Sequence, residues 1–349
     1  MSRSTQYIVV GQGIGGTMVS YFLHKAGLDF VVIDPALPSN ASRVAGGIIN
    51  PVTGKKLAKS WRIGELQPFA LKTYTEIGDL LGKELVLQTR VHRYHSNPED
   101  ATKFDEQADS QDWFDDYIIP LQVNEPAINN TLGGFTISPA LKIYGNDLMD
   151  GWRAFLIQKD RFIEALFDHS QLEILPNNIR YKDIEAQKVI FCEGWGVQHN
   201  PWFKDLPFNA AKGEALVVKI EGLLPDEVYL KGVFLVPLGN NLYYIGSTNE
   251  WVFTDDKPSA HKLEELERKL QKVLIDLPYE IVAHKAAVRP AVKNRRPLIG
   301  PHPQHSQLWL FNGLGTKGYS LSPFFANQLV AALLGQGSLD AEILLSESR

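Results

Sequence analysis

The chain has one cysteine, Cys192, among 349 residues. It therefore has no internal disulfide and no cysteine-based zinc cluster, a usage that fits a reducing cytosol. Long hydrophobic runs are also missing, since no stretch approaches the ~20 apolar residues that span a bilayer. Residues 1–6 are polar and lead at once into an apolar strand, so no secretory leader is expected. These absences predict a cytoplasmic protein without a membrane partner. Basic charge is not in excess either: 35 Lys and Arg stand against 40 Asp and Glu, a formal net charge of -5. That balance gives no general attraction to nucleic acid. Internal repeats and low-complexity tracts are absent as well. The remainder is ordinary globular composition, 44% apolar and 21% charged, in a chain long enough for two domains or one elaborated domain.

What the chain does have is organised around Tyr7 to Asp34. Tyr7-Ile8-Val9-Val10 is a continuous apolar run of the kind a buried parallel strand requires. Gly11, Gly13 and Gly16 follow in the spacing G-x-G-x-x-G. The first permits a tight turn, the second lets backbone approach a pyrophosphate, and the third lets helix and strand pack closely. Met18, Val19, Phe22, Leu23 and Ala26 then recur on one helical face, with Gly27 placed to end the helix. Phe30 to Ile33 is the second expected strand, and Asp34 falls where an acid bonds both hydroxyls of an adenosine ribose. Strand, glycine turn, helix, strand and acid at this spacing predict a dinucleotide site. The plainer alternative, a glycine-rich turn in some other α/β protein, does not require the whole set.

After Asp34 a polar loop leads to Ala41-Ser42-Arg43-Val44-Ala45-Gly46-Gly47-Ile48-Ile49, whose paired small residues predict backbone lying against a large flat ligand. Lys55, Lys56, Lys59 and Arg62 form a basic turn around Trp61, read as solvated or with one member facing the ligand. Residues 63–81 have helical character despite Pro68, and 85–94 and 133–138 read as strands around an acidic, helical stretch 98–116. Asp150 is placed to cap a helix to about Asp168, burying Phe155, Phe162, Ile163, Leu166 and Phe167. Strands are expected over 188–192, 214–220, 228–237 and 242–248, the last two joined across Gly239-Asn240-Asn241. An amphipathic helix over 259–277 and a strand over 279–289 complete this part. Two β-rich blocks are thus interleaved with α/β blocks. The expected organisation is a discontinuous nucleotide domain (1–84, 139–209 and 286–349) carrying an inserted antiparallel-sheet substrate domain (85–138 and 210–285).

The closing segment bears on the cofactor. A strand over 308–311 runs into Asn312-Gly313-Leu314-Gly315-Thr316-Lys317-Gly318-Tyr319-Ser320. Ser322 and Pro323 then read as N-cap and first position of a helix from Phe324 to Leu334. NAD has no need of a second glycine-rich strand-to-helix junction. An extended FAD does, with one helix N-terminus at its pyrophosphate and another at the flavin, where a positive terminus stabilises the reduced anion.

With those residues in place, the chain resembles the D-amino-acid oxidase-like FAD-dependent oxidoreductases. It is most similar there to glycine and sarcosine oxidases and to the oxidase domain of the tRNA-modifying MnmC enzymes. The resemblance runs in order through Gly11-x-Gly13-x-x-Gly16 with Asp34, Ser42 to Ile49, and Val189 to Trp195. It continues through Val288-Arg289-Pro290, Arg296 to Gly300, and Gly313 to Gly318 before Ser322-Pro323. Asp34 replaces the more usual Glu, and Gly313-Leu-Gly-Thr-Lys-Gly318 departs from the oxidases' Gly-His pattern toward the MnmC version.

The resemblance implies an α/β (α+β overall) fold, with a Rossmann-like FAD-binding domain of the glutathione-reductase type and the inserted sheet domain. It implies non-covalent FAD held by Gly11, Gly13, Ile14, Gly15, Gly16, Asp34 and Pro35 at the nucleotide end. Ser42, Arg43, Ala45, Gly46, Gly47 and Ile48 follow along the cofactor, with Gly194 and Trp195. Gly313, Gly315, Thr316, Lys317, Gly318, Tyr319 and Ser320 are implied at the flavin. Arg289 matches the arginine that pairs with the substrate carboxylate, a role suited to a planar guanidinium, and the alternative is a structural ion pair. Lys317 is a second catalytic-site candidate, with Arg295 and Arg296 behind it, while His92, His95, His284 and His302 receive no role. The implied activity is oxidation of the C–N bond of a small amino acid or N-substituted glycine by hydride transfer to flavin N5. Oxygen or another acceptor would reoxidise the flavin. The alternatives are oxidation of a carboxymethylaminomethyl group on tRNA, which the net charge disfavours, and a flavin-binding protein without catalysis.

Overall fold

The computed structural model describes residues 3–54, 56–108, 110–123 and 125–345, so Lys55 of the basic turn lies outside the described residues. The elements that build the site begin with β1 (Arg3–Val10), α1 (Ile14–Lys25), β2 (Phe30–Asp34) and α2 (Ile63–Leu81). They continue with α3 (Gly145–Gln158), β3 (Phe162–Glu164), β4 (Ile184–Phe191) and β5 (Ala211–Ile220). The last are β6 (Leu242–Gly246), β7 (Tyr279–Arg289), β8 (Leu308–Asn312) and α4 (Gly318–Leu333).

The parallel core of the first sheet runs β3-β2-β1-β4-β8, with Tyr7 opposite Phe30 and Lys188 and Val10 opposite Ile33 and Phe191. Its strands are apolar without alternation because both faces are covered. Tyr7, Val9, Phe30 and Val32 enter one hydrophobic cluster with α1, α2 and α4, while Ile8, Val10, Val31 and Ile33 enter the other. The second sheet has nine strands and includes β7-β5-β6 in antiparallel register. Its strands come from the two β-rich blocks, joined by Ile48–Ile49 and by the ends of Gly134–Ile143 and β7. One neighbouring pair in it is parallel, Val228–Leu230 on Val86–Tyr94. The hairpin across Asn240 and Asn241 forms as expected, both residues taking positive φ (53° and 58°) as its turn requires.

Three expectations are overturned. The helix read from Asp150 to Asp168 is α3, which starts five residues earlier and stops at Gln158. Asp150 is inside it and pairs with Arg43 at 2.5 Å. Phe162–Glu164 instead pairs with β2, because a short apolar run fits an open parallel edge as well as a helix face and periodicity cannot separate the two. Leu166, expected buried, is 77% exposed. The single strand over 228–237 is two, Val228–Leu230 and Phe234–Gly239, turning at Gly232 with φ 69°. The final helix begins at Gly318, so Ser322 and Pro323 lie within it. Pro323 cannot donate to the carbonyl four residues back, that of Tyr319. The buried Tyr74 hydroxyl donates to that oxygen instead, at 2.7 Å, so the helix continues through the proline.

Candidate active site

At the end of β1 the glycines of the first junction meet three different constraints. Gly11 has φ 96°, and a Cβ there would lie 2.6 Å from the Cys192 carbonyl oxygen. A Cβ on Gly16 would lie 1.8 Å from the Gly11 carbonyl oxygen, so the helix seats against the turn only without one. A Cβ on Gly13 would meet only Ser42 Oγ, at 3.2 Å, leaving the backbone there open on its other side. Gly15 packs on the Phe311 ring. The first N–H of α1, that of Ile14, donates to Ser42 Oγ at 2.9 Å. Arg43 leans in beside it, one amino group on Asp150 and its buried Nε without a partner. A helix N-terminus, a serine hydroxyl and an unpartnered buried guanidinium N–H form a donor set for a pyrophosphate, so these residues fit FAD.

Asp34 ends β2 with each oxygen already accepting one backbone N–H: Oδ2 from Gln12 and Oδ1 from Ala36, both at 2.7 Å. Pro35 is carried on this turn. Two residues the sequence reading missed support the carboxylate. Arg153 of α3 donates to Gln12 Oε1 at 2.8 Å and brings its other end 3.5 Å from Asp34 Oδ1. The Gln12 amide donates to the Met149 carbonyl at 2.9 Å, locking the second motif position to α3. The sequence signal for Gln12 was a polar residue in an otherwise apolar glycine turn, whereas Arg153 sits on a helix that also carries Asn146, Asp147 and Asp150 and gave none.

The second junction lies against the first. The Tyr319 hydroxyl donates to the Ser42 carbonyl at 2.7 Å, and Gly318 seats on Ile14. Gly313 (φ 74°) and Gly315 (φ 55°) turn the chain from β8 into α4, whose N-cap is Lys317. Thr316 is exposed on that loop, and Ser320 Oγ donates to the Lys317 carbonyl at 3.0 Å. Ala45 leads into Gly46, which presses on the Tyr244 ring. Gly47 has φ 71° and no room for a Cβ beside the Ile143 carbonyl, and Ile48 pairs with Lys142. The Gly194 carbonyl accepts from Asn312 Nδ2 at 2.8 Å, and Trp195 meets Phe253 edge to face. Cys192 is buried and its thiol is pushed well up by burial, which leaves it without thiolate character.

Arg289, at the end of β7, is held in a cradle of neutral acceptors. It donates to Ser247 Oγ at 2.7 Å, Asn249 Oδ1 at 3.0 Å and the Thr248 carbonyl at 3.3 Å. Gly213 of β5 makes room, since a Cβ there would lie 1.9 Å from one guanidinium nitrogen. Burial lowers the guanidinium's pKa, and among the described residues no carboxylate pairs with it. The phenol of Tyr244, raised by burial and hydrogen-bonded to Ser247, faces the same cation. Tyr244 was missed because alternation on a strand does not distinguish a core tyrosine from a site tyrosine.

Glu214, 1% exposed, holds the cradle from behind. Its backbone exchanges hydrogen bonds with Thr248, and its carboxylate accepts from Ser259 and pairs with Lys212 at 3.3 Å. His284 contacts the same carboxylate at 2.8 Å. His92 lies between Thr136 and Glu227, and His95 packs on Phe104 and Phe135.

Lys317 follows a loop tied to the residue after Arg289, since the Gly315 N–H donates to the Pro290 carbonyl at 3.3 Å. Its ammonium donates to Ser60 Oγ at 3.1 Å, and burial lowers its pKa, reinforced by Arg295 and Arg296. Arg296 stacks 4.0 Å over Trp61 and pairs with Glu342, and Arg295 is exposed.

A family profile described as DAO, FAD dependent oxidoreductase, matches residues 6–333. Glycine oxidase of Pseudomonas aeruginosa is 26% identical over 357 residues, covering 95% of this chain and 96% of the relative. Among solved structures, glycine oxidase from Geobacillus kaustophilus superposes with a TM-score of 0.81 at 20% identity, covering 99% of both chains. Iminodiacetate oxidase from Chelativorans sp. BNC1 gives 0.77 at 17% identity and 98% coverage of both.

Proposed function

The chain belongs to the DAO family of FAD-dependent oxidoreductases, and from that premise we propose that it oxidises the C–N bond of a small amino acid or N-substituted glycine. The observation that carries the substrate class is Arg289, a half-buried guanidinium given only neutral acceptors among the described residues. A buried cation without a counter-ion is costly, and a ligand carboxylate offsets that cost. Bound FAD supplies the two-electron acceptor. The protein's own residues do the positioning: Ser247, Thr248 and Asn249 fix the guanidinium plane, and a carboxylate clamped on it has its α-carbon confined. Tyr244, beside Ser247, is the second group that can contact that carboxylate. Withdrawal of the bound amine from water would favour its neutral form, the one that can be oxidised, without a protein base.

FAD is held between the two glycine junctions, with Arg43, Ser42 and the α1 N-terminus at the pyrophosphate and the Gly313–Ser320 segment at the flavin. The test is flavin reduction and steady-state turnover on glycine, sarcosine, iminodiacetate, several D-amino acids and L-proline, with oxygen and with a dye as acceptor. A tRNA carrying carboxymethylaminomethyluridine joins the panel. Bleaching of the flavin by at least one free glycine derivative is expected, and no response to any small carboxylated amine would refute the reading.

A further inference from the structure

Lys317 repeats the feature that singles out Arg289. Its side chain is half-buried, and among the described residues its hydrogen-bond acceptor is a neutral hydroxyl and no carboxylate pairs with it. The surrounding cations are accounted for differently: Arg62 is paired with Glu65 and Asp340, and Arg296 with Glu342.

A second donor lies in the same place. Asn50 is 8% exposed, its Nδ2 is buried, and that group has no partner. The amide orientation is fixed because Oδ1 accepts the Val52 N–H at 3.3 Å, which leaves the NH2 as the open end. The Ser60 hydroxyl joins the two, donating to the Asn50 carbonyl at 3.0 Å and accepting from Lys317. The ammonium on that hydroxyl, the unsatisfied side-chain amide of the residue whose backbone carbonyl the hydroxyl binds, and the N-terminus of the 16-residue α4 are a donor set for an oxyanion.

Arg289, at the end of β7, and Lys317 are thus two cations without a carboxylate partner among the described residues, on segments joined by the Gly315–Pro290 hydrogen bond. A glycine-type monocarboxylate satisfies one of them. We propose that Asn50, Ser60 and Lys317 form a second carboxylate subsite, so that the substrates are amines bearing two carboxylates, one on Arg289 and one on Lys317. This rests on the amine-oxidising reading above and narrows it.

The test uses FAD-loaded protein and two ligands that cannot be oxidised at nitrogen, thiodiacetate and methylthioacetate, which differ by one carboxylate. Their dissociation constants are read by calorimetry, with perturbation of the flavin spectrum as a check. Wild type should prefer thiodiacetate by about 10- to 100-fold, the range for a hydrogen-bonded charged group. Lys317→Met should remove that preference and leave methylthioacetate within about twofold, as a contact made only by the second carboxylate predicts. Lys317→Arg should retain part of it.

Equal affinity of the two ligands in wild type overturns the subsite without any variant. So does a preference that survives Lys317→Met. A change in FAD affinity or flavin potential with the ligand ratio intact would assign Lys317 to the flavin instead. Loss of both ligands' dependence on Arg289 would sink the carboxylate-reading function itself. An Arg289-dependent methylthioacetate with no gain from the second carboxylate sinks only the subsite.

Discussion

Gly213→Ala is the most direct perturbation of the carboxylate anchor that leaves the anchor itself in place. In β5 the added Cβ would lie 1.9, 2.2 and 2.5 Å from the Nη2, Cζ and Nη1 atoms of Arg289. Ordinary contact for such a pair starts near 3.4 Å, so the guanidinium must retreat by about 1.5 Å or β5 must shift against its neighbours. The strand is tied to β6 and β7 on both sides, so the side chain is the softer element. A displacement of about 1 Å at a positioning group costs on the order of 10²-fold in rate. We therefore expect kcat/KM for carboxylated amines to fall by about two orders of magnitude in Gly213→Ala. FAD content should be unchanged and the stability loss should stay within about 1–3 kcal/mol, the usual cost of overpacking. The matching amine without a carboxylate should lose far less. Stopped-flow flavin reduction on both substrates, with thermal unfolding as a fold check, measures this. A variant with unaltered kcat/KM on the acid would show that Arg289 does not touch the substrate.

Further outcomes follow from the same contacts. Arg289→Ala should lower the ratio of flavin-reduction rate to dissociation constant by roughly 30- to several-thousand-fold, the scale of about 2–5 kcal/mol for breaking a buried charge pair. Arg289→Lys should recover only part of it, because an ammonium lacks the planar fork, and equal losses on acid and decarboxylated amine would assign Arg289 to structure. Tyr74→Phe should destabilise the holoprotein by about 1–3 kcal/mol, since the Tyr319 carbonyl would be left buried without a donor beside Pro323. An unshifted melting temperature would mean that another group satisfies that oxygen. Acid precipitation should leave the flavin in the supernatant, because the buried, protonated Cys192 thiol is unsuited to a covalent link, and a yellow pellet would contradict this. Arg153→Met should weaken FAD while sparing the ratio of affinities for carboxylated and decarboxylated ligands, as checked by equilibrium dialysis of the flavin and by ligand titration.

The first β-α-β unit was legible because its signals are local. An apolar run, three glycines with distinct steric duties and a terminal acid all fall within one short stretch, and each agrees with the others. The Asn240-Asn241 turn and the strand ending in Arg289 were readable for the same reason. What failed were segments whose state depends on distant partners. Phe162–Glu164 is a strand only because β2 offers it an edge, and α4 begins at Gly318 only because Tyr74, far back in the chain, replaces the hydrogen bond Pro323 lacks. The site divides in the same way. Sequence alone pointed to Arg289 and Lys317 as cations of interest. Only the tertiary structure could show that Gly213, Ser247 and Asn249 hold one of them without a counter-ion, and that Ser60, itself bound to the Asn50 carbonyl, meets the other. The absence of a counter-charge is a property of the space around a residue, and that space is set by chain segments brought together from far apart in the sequence.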